Sequence, residues 1–265
     1  MIYANPIVGR TGLCNMLFIW ARALVFARES GATMLAPRWT NFFRLGPFLR
    51  FERNKRYYMN EFTNKGYVHG IRKAFVNFTH NHLPESEASH AKDGDVVDFK
   101  GWSWDHFKNF VKHHGYINEA LAAIVNPTMV AAADAVGNIP FIGVHIRRGD
   151  FVTNGQAVPD GWYVDAIARA REIADELPVK IFSDCAPEKL VGITSVVKDC
   201  HVMPKAPAVQ DLLALSKCKC LVATSRSTFS MWAVFLGQMP SIWSVDEPVP
   251  GMYVDNNAVI ILKGG

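Results

Sequence analysis

The sequence predicts an α/β protein with parallel sheets covered by helices on both faces. Three observations carry this. Short apolar runs rich in β-branched residues alternate with longer helical patterns, as in chains of βα units. The length of 265 residues suits one large domain or two small ones. Chemistry-bearing side chains recur at the carboxyl ends of predicted strands, the edge where α/β sheets bind ligands.

The first half begins with a strand over Ile2 to Val8, a loop over Gly9 to Gly12, and a buried helix over Leu13 to Ser30 that Gly31 ends. Ala32 to Ala36 opens a second strand. Pro37 to Lys65 is aromatic and basic with weak periodicity, and reads as irregular structure around a pocket. Gly66 to Phe78 reads as strand and His80 to Asp95 as loop. Trp104 to His113 and Ile117 to Val125 read as helices, and Asn126-Pro127 starts one more, reaching Val136.

The second half is more regular. Ile139 to Ile146 is a buried strand tipped by Arg147-Arg148-Gly149-Asp150. Trp162 to Leu177 is an amphipathic helix with Tyr163, Ile167, Ala170 and Ile173 on one face. Val179 to Ser183 is a strand ending at Asp184, and Val196 to Met203 is another. Gln210 to Lys217 is a helix, Cys220 to Ala223 a strand, Thr224 to Thr228 a hydroxyl-rich turn, Phe229 to Gly237 a helix and Ser241 to Val245 a last strand. The expected domains are 1–137 and 138–265, with the last residues able to pack back on the first.

Composition bounds the function. Apolar residues are 49% and charged residues 20%, which excludes a disordered chain, a collagen-like fibre and a disulfide-stapled mini-protein. The net charge of +4 is too weak for a dedicated nucleic-acid binder and suits an anionic ligand in a local basic pocket. The five cysteines are odd in number, and Cys218-Lys-Cys220 lacks a second pair for zinc, so packing is the expected role. Asp93-Gly-Asp95 spells D-x-D but lies in a weakly patterned turn; no metal is expected. No secretory signal is read, and Arg22 breaks the apolar run Leu13 to Ala27, so no membrane span and a cytoplasmic location are expected.

Three clusters at strand ends could carry chemistry. His145, Arg147, Arg148 and Asp150 sit at one tip, where one guanidinium can face a phosphate and the other can pair with Asp150. A surface ion-pair cluster would look the same. Asp184 suits ribose hydroxyls or guanine N–H donors, and equally a helix cap. Thr224 to Ser230 is a strand-to-helix turn whose amides and hydroxyls form an anion site, or a plain cap by Ser227 or Thr228.

Five segments together resemble a known family. Gly12-Leu-Cys-Asn-Met-Leu-Phe18 is similar to the G-x-G-N-x-x-F opening of the α-1,2-fucosyltransferases, and Gly143-Val-His-Ile-Arg-Arg-Gly-Asp150 to their H-x-R-R-x-D motif. Phe182-Ser-Asp184, Asp211 to Cys218 and Ser227 to Ala233 resemble later segments in the same order. Cys14, Met16 and Met231 depart from the pattern.

The resemblance implies a GT-B fold of two Rossmann-like domains with a cleft between them. It implies inverting, metal-independent transfer of L-fucose from GDP-β-L-fucose to a glycan hydroxyl, such as the 2-OH of a terminal galactose. Arg147 and Asn15 would be catalytic. Gly12, His145, Arg147, Asp184, Ser227, Thr228 and Phe229 would bind donor, with Arg148 and Asp150 supporting the site. Asp105, His106, Glu61 and Asp150 are candidate bases for the acceptor, none singled out. Other readings are transfer of another deoxyhexose such as rhamnose, or a non-catalytic nucleotide- or glycan-binding module. The aromatic stretch Trp39 to Phe62, with Arg44, Arg50, Arg53 and Arg56, is either an acceptor platform or core packing.

Overall fold

The computed structural model describes residues 1–9, 11–40, 57–101, 107–149, 155, 157–244, 251–255 and 259–262. The chain divides into two compact units, Met1–Asn126 and Pro127–Gly265.

The first unit holds a parallel four-stranded sheet of β1 (Tyr3–Pro6), β2 (Thr33–Met34), β3 (Asn81–Pro84) and β4 (Asp95–Phe99), in the order β2-β1-β4-β3. Its helices are α1 (Leu13–Ser30), α2 (Gly70–Thr79) and α3 (His114–Ile124). α1 is buried on most sides, which fits its nearly unbroken apolar sequence. It ends where Gly31 takes φ 69°, a left-handed cap, with Arg28 in the last turn beside the negative helix end. Trp20 is fully buried and donates its indole N–H to the Tyr67 hydroxyl at 3.0 Å.

Three expectations fail in this unit, one of them the helix over Trp104 to His113, whose described part is turn over 107–110 and a 3-10 helix over Val111–His113. Gly66 to Phe78 is not a strand but contains α2, because its apolar positions recur at helical spacing although their residue types favour sheets. His80 to Asp95 is not all loop: it contains β3, whose mixed polar sequence carries no alternation. In β3–β4, Asp98 is buried and accepts from Asn5 Nδ2 at 2.8 Å, His82 Nδ1 at 3.1 Å and Lys100 Nζ at 3.0 Å. Burial alone would raise its pKa, but these bonds hold the carboxyl below the usual range.

The second unit holds a parallel six-stranded sheet: β5 (Ile142–Ile146), β6 (Val179–Ser183), β7 (Cys200–Val202), β8 (Cys220–Val222), β9 (Ser241–Trp243) and β10 (Val259–Ile261). The order is β7-β6-β5-β8-β9-β10. Counted from β5 this is 3-2-1-4-5-6, the order of dinucleotide-binding α/β domains. The helices are α4 (Pro127–Gly137), α5 (Asp160–Ala174), the short α6 (Val191–Thr194), α7 (Ala208–Leu215) and α8 (Thr228–Gly237). The division falls before α4 rather than at 137, because α4 packs on α7 of this unit. The last described residues also stay here: β10 pairs with β9, and Leu262 accepts the Trp162 indole N–H at 2.9 Å.

One face of β5 presents Ile142, Val144 and Ile146 to Tyr163, Ala166, Ile167 and Ala170 of α5, all nearly inaccessible. The other face passes close under the end of α7. A Cβ on Gly143 would come within 2.9 Å of Cys218 Sγ and of Leu215, so only glycine fits this crossing. Among the described residues no helix is long and apolar enough to cross a membrane.

Candidate active site

In the second sheet the chain reverses its winding between β5 and β8, which lie side by side. In open α/β sheets ligands bind at the carboxyl ends of such a pair, where the two loops diverge. His145 to Gly149 leave β5 there, and Thr224 to Ser227 leave β8 there.

Thr224 ties the two ends together. It is fully buried, and its hydroxyl donates to the His145 carbonyl at 2.6 Å. With that proton committed, Oγ1 accepts the Arg147 backbone N–H at 3.1 Å and the Tyr163 O–H at 3.0 Å. One side chain thus fixes the backbone on either side of Ile146. Burial pushes the Tyr163 hydroxyl up to about 12, so it stays a proton donor.

His145 is buried, shares a 2.7 Å hydrogen bond between Nδ1 and Ser230 Oγ, and lies against the Phe229 ring at 4.9 Å. Burial, and then the neighbouring Arg147 charge, lower its pKa to about 3. The ring is therefore neutral near pH 7 and serves as a hydrogen-bonding group, not as a proton store. The unfolded chain, with an ordinary histidine near 6.5, binds the extra proton first. Stability is full above about 6.5 and falls as the pH drops toward about 3, by about 1.4 kcal/mol per unit. Urea unfolding at stepped pH should show this slope in the wild type and lose that share of it in His145→Gln. Equal slopes in both proteins would refute it.

Arg147 and Asp184 face each other, with Nε 3.7 Å from Oδ2. The other carboxylate oxygen, Oδ1, accepts the backbone N–H groups of Arg148 at 2.8 Å and Gly149 at 3.3 Å. Asp184 thus clamps the loop that carries Arg147. Arg148 turns away: it pairs with Asp160, donates to the Val158 carbonyl and lies over the Tyr163 ring at 5.7 Å. The sequence-expected partner Asp150 lies outside the described residues, and the observed one belongs to α5.

α8 starts at this edge. Ser227 holds the cap position, but its hydroxyl makes no cap bond; it is buried with no hydrogen-bond partner among the described residues. No acidic residue lies in the first turn, so the positive helix end is uncompensated there. Arg226 precedes it at φ 59°, a left-handed conformation that is uncommon outside glycine and asparagine. A cationic side chain, an open helix start and an unpaired hydroxyl together suit a phosphate-bearing anion.

Gly12 and Asn15 lie in the first unit, at the start of α1. Gly12 caps the helix at φ −69°, and a Cβ there would meet nothing within 4 Å, so the fold itself does not demand glycine. Asn15 has a buried Oδ1 without a partner among the described residues. Glu61 is buried. Asp105, His106, Arg44, Arg50, Arg53 and Arg56 lie outside the described residues. Trp39 and Phe62 are buried and stack on each other at 3.9 Å, so these two rings build core rather than a platform. Asp95 of the D-x-D accepts the Lys92 N–H within its own turn and the Asn81 amide across the β3–β4 pair. Among the described residues no group of three His, Cys, Asp or Glu gathers as a metal site.

Tyr163 carries no site signal in the sequence, and Thr224 and Ser230 lie in the turn expected to form an anion site without any local sign of their bonds to His145. Tyr163 passed as one more apolar position of its helix face, and the others as members of a hydroxyl-rich turn.

Residues 49–247 match the model of glycosyl transferase family 11. An α-1,2-colitosyltransferase of Escherichia coli is 27% identical over 151 residues, which is 53% of this chain and 51% of that protein. The match thus spans about half the length of that relative. The solved fucosyltransferase NodZ from Bradyrhizobium superposes with a TM-score of 0.58 at 16% identity, covering 90% of this chain and 93% of that one. POFUT1 in complex with GDP superposes at 0.52 and 13% identity, covering 91% and 97%. At such identities the likeness is one of fold, and it agrees with the expected GT-B type of two parallel α/β units.

Proposed function

Because the chain belongs to glycosyl transferase family 11, we propose that it moves L-fucose from GDP-β-L-fucose to a hydroxyl of a glycan acceptor, with inversion and without a metal. The observation that carries this reading is the switch point of the second sheet, where Arg147 follows β5 and the start of α8, with the unpaired Ser227 hydroxyl, follows the neighbouring β8. A solved NodZ structure soaked with GDP-fucose supports the choice of donor. In this reading the second unit binds the nucleotide sugar and the first unit serves the acceptor side, with Gly12 toward the donor and Asn15 toward the reacting groups.

The chemistry follows from charge. As the bond from sugar to diphosphate breaks, negative charge builds on the departing phosphate oxygens and positive charge on the sugar ring. Arg147 and the amides at Ser227 and Thr228 stabilise the leaving group, the task a divalent ion performs in other transferases. Asp184 keeps Arg147 and its loop in place. Neutral His145 and Phe229 complete the wall of the donor site. The acceptor hydroxyl attacks from the face opposite the diphosphate, and its proton passes late to water as the new bond to the sugar forms and the bond to the diphosphate breaks. The 2-OH of a terminal galactose is the first acceptor to try.

A second reading keeps the site and changes the sugar. The relative named as a colitosyltransferase favours a different deoxyhexose. Thermal unfolding with GDP, UDP or dTDP, each in EDTA, followed by transfer assays with GDP-fucose and GDP-colitose, separates the possibilities. GDP at 100 times its Kd is expected to stabilise the protein by about 2.7 kcal/mol. Stabilisation by UDP or dTDP alone would discard fucose. No response to any nucleotide would leave a glycan-binding module without transferase activity.

A further inference from the structure

α2 of the first unit turns an apolar stripe to solvent. It rests on the sheet through Val76, which packs with Leu35 and Val96. Lys73 on the same side donates to the Ala36 carbonyl at 2.7 Å. On the other side Ile71 is 88% exposed, Phe75 63% and Phe78 91%. Ala74 between them is exposed as well. Positions 71, 74, 75 and 78 follow the spacing of one helix face. Single exposed apolar residues are ordinary on a protein surface, but a row with two phenylalanines marks a contact surface.

Along the stretch of sequence that holds α2 the charge is of one sign. No acidic residue occurs from Phe62 to Pro84, whereas Lys65, Arg72, Lys73, His69, His80 and His82 do. Lys65, His69 and Arg72 are exposed. Apolar side chains on one face with basic residues beside them are what a helix needs to lie in the headgroup layer of an anionic bilayer. A second copy of the chain fits less well. Three such side chains offer about 500 Å². A symmetric pair would bury about 1,000 Å² in total, short of a stable interface, and would set basic residues against basic residues.

We propose that α2 is a membrane-surface helix, docking the chain on anionic lipid with Ile71, Phe75 and Phe78 at the acyl boundary and Lys65 and Arg72 on the headgroup phosphates. The inference does not depend on which sugar the chain transfers. Sedimentation of the full chain with vesicles of phosphatidylcholine mixed with phosphatidylglycerol, against phosphatidylcholine alone, tests it. The wild type should pellet with the mixed vesicles and less so at high salt. Phe75→Ser combined with Phe78→Ser should weaken binding about tenfold or more, with an unchanged circular dichroism spectrum and unfolding midpoint. Lys65→Glu with Arg72→Glu should abolish the preference for the anionic lipid. A wild type that stays in the supernatant, or a phenylalanine variant that pellets equally, overturns the proposal. So does a wild-type dimer in light scattering that the phenylalanine variant lacks, which would put a second copy on the stripe.

Discussion

Arg147→Ala is expected to slow transfer by about 10²–10³, a loss of about 2.7–4 kcal/mol from the transition state. The size follows from how the side chain is held. Its backbone N–H is fixed by Thr224 at 3.1 Å, and its guanidinium stands against Asp184, so little reorganisation is needed when charge appears on the leaving phosphate. The loss should fall on both kcat and the donor KM, because the guanidinium meets the diphosphate in the bound donor and meets more charge as the bond breaks. Arg147→Lys should recover part of the rate, since it restores the charge but not the planar fork. The unfolding midpoint without ligand should barely move, as the side chain is 31% exposed, while stabilisation by GDP should disappear. Steady-state kinetics showing an unchanged kcat would remove Arg147 from the mechanism.

Thr224→Val should destabilise the second unit by about 3 kcal/mol, although the two side chains have nearly the same volume. The hydroxyl serves the His145 carbonyl, the Arg147 N–H and the Tyr163 O–H at once. A methyl in its place leaves these buried groups without their partner, at about 1–3 kcal/mol for each that finds no substitute. Urea unfolding should show a lower midpoint with an unchanged slope. Thr224→Ser should keep most of the stability, and nucleotide stabilisation should fall further in Thr224→Val than in Thr224→Ser. Equal midpoints for wild type and Thr224→Val would show that the three partners find other bonds.

The strand over Ile142 to Ile146 and the charged residues beyond it were legible in the sequence, because a buried parallel strand is a continuous apolar run and its end is where polar residues begin. The turn before α8 was legible for the same reason. What could not be read is how these pieces are joined. Thr224 reaches back to His145 across a separation of 79 residues, and Ser230 reaches the same histidine across 85. No local spacing encodes such a bond. Asp184 suits a nucleoside contact or a helix cap by its position alone, and its Oδ1 accepts two loop N–H groups. Its position at a strand end was legible, but its partners were not. α2 was hidden by its own composition. Isoleucine, valine and phenylalanine favour sheets, and its apolar stripe faces outward, where hydrophobic periodicity is normally taken to point at a core.

The threonine bridge also sets the order in which this sheet edge is completed during synthesis. The strand that carries His145 and Arg147 leaves the ribosome well before Thr224 and Ser230 do. Until then the early strand lacks the neighbour that shapes its tip, and the loop closure between them is entropically costly. The tip of β5 thus takes its final form only once β8 and the turn after it are in place.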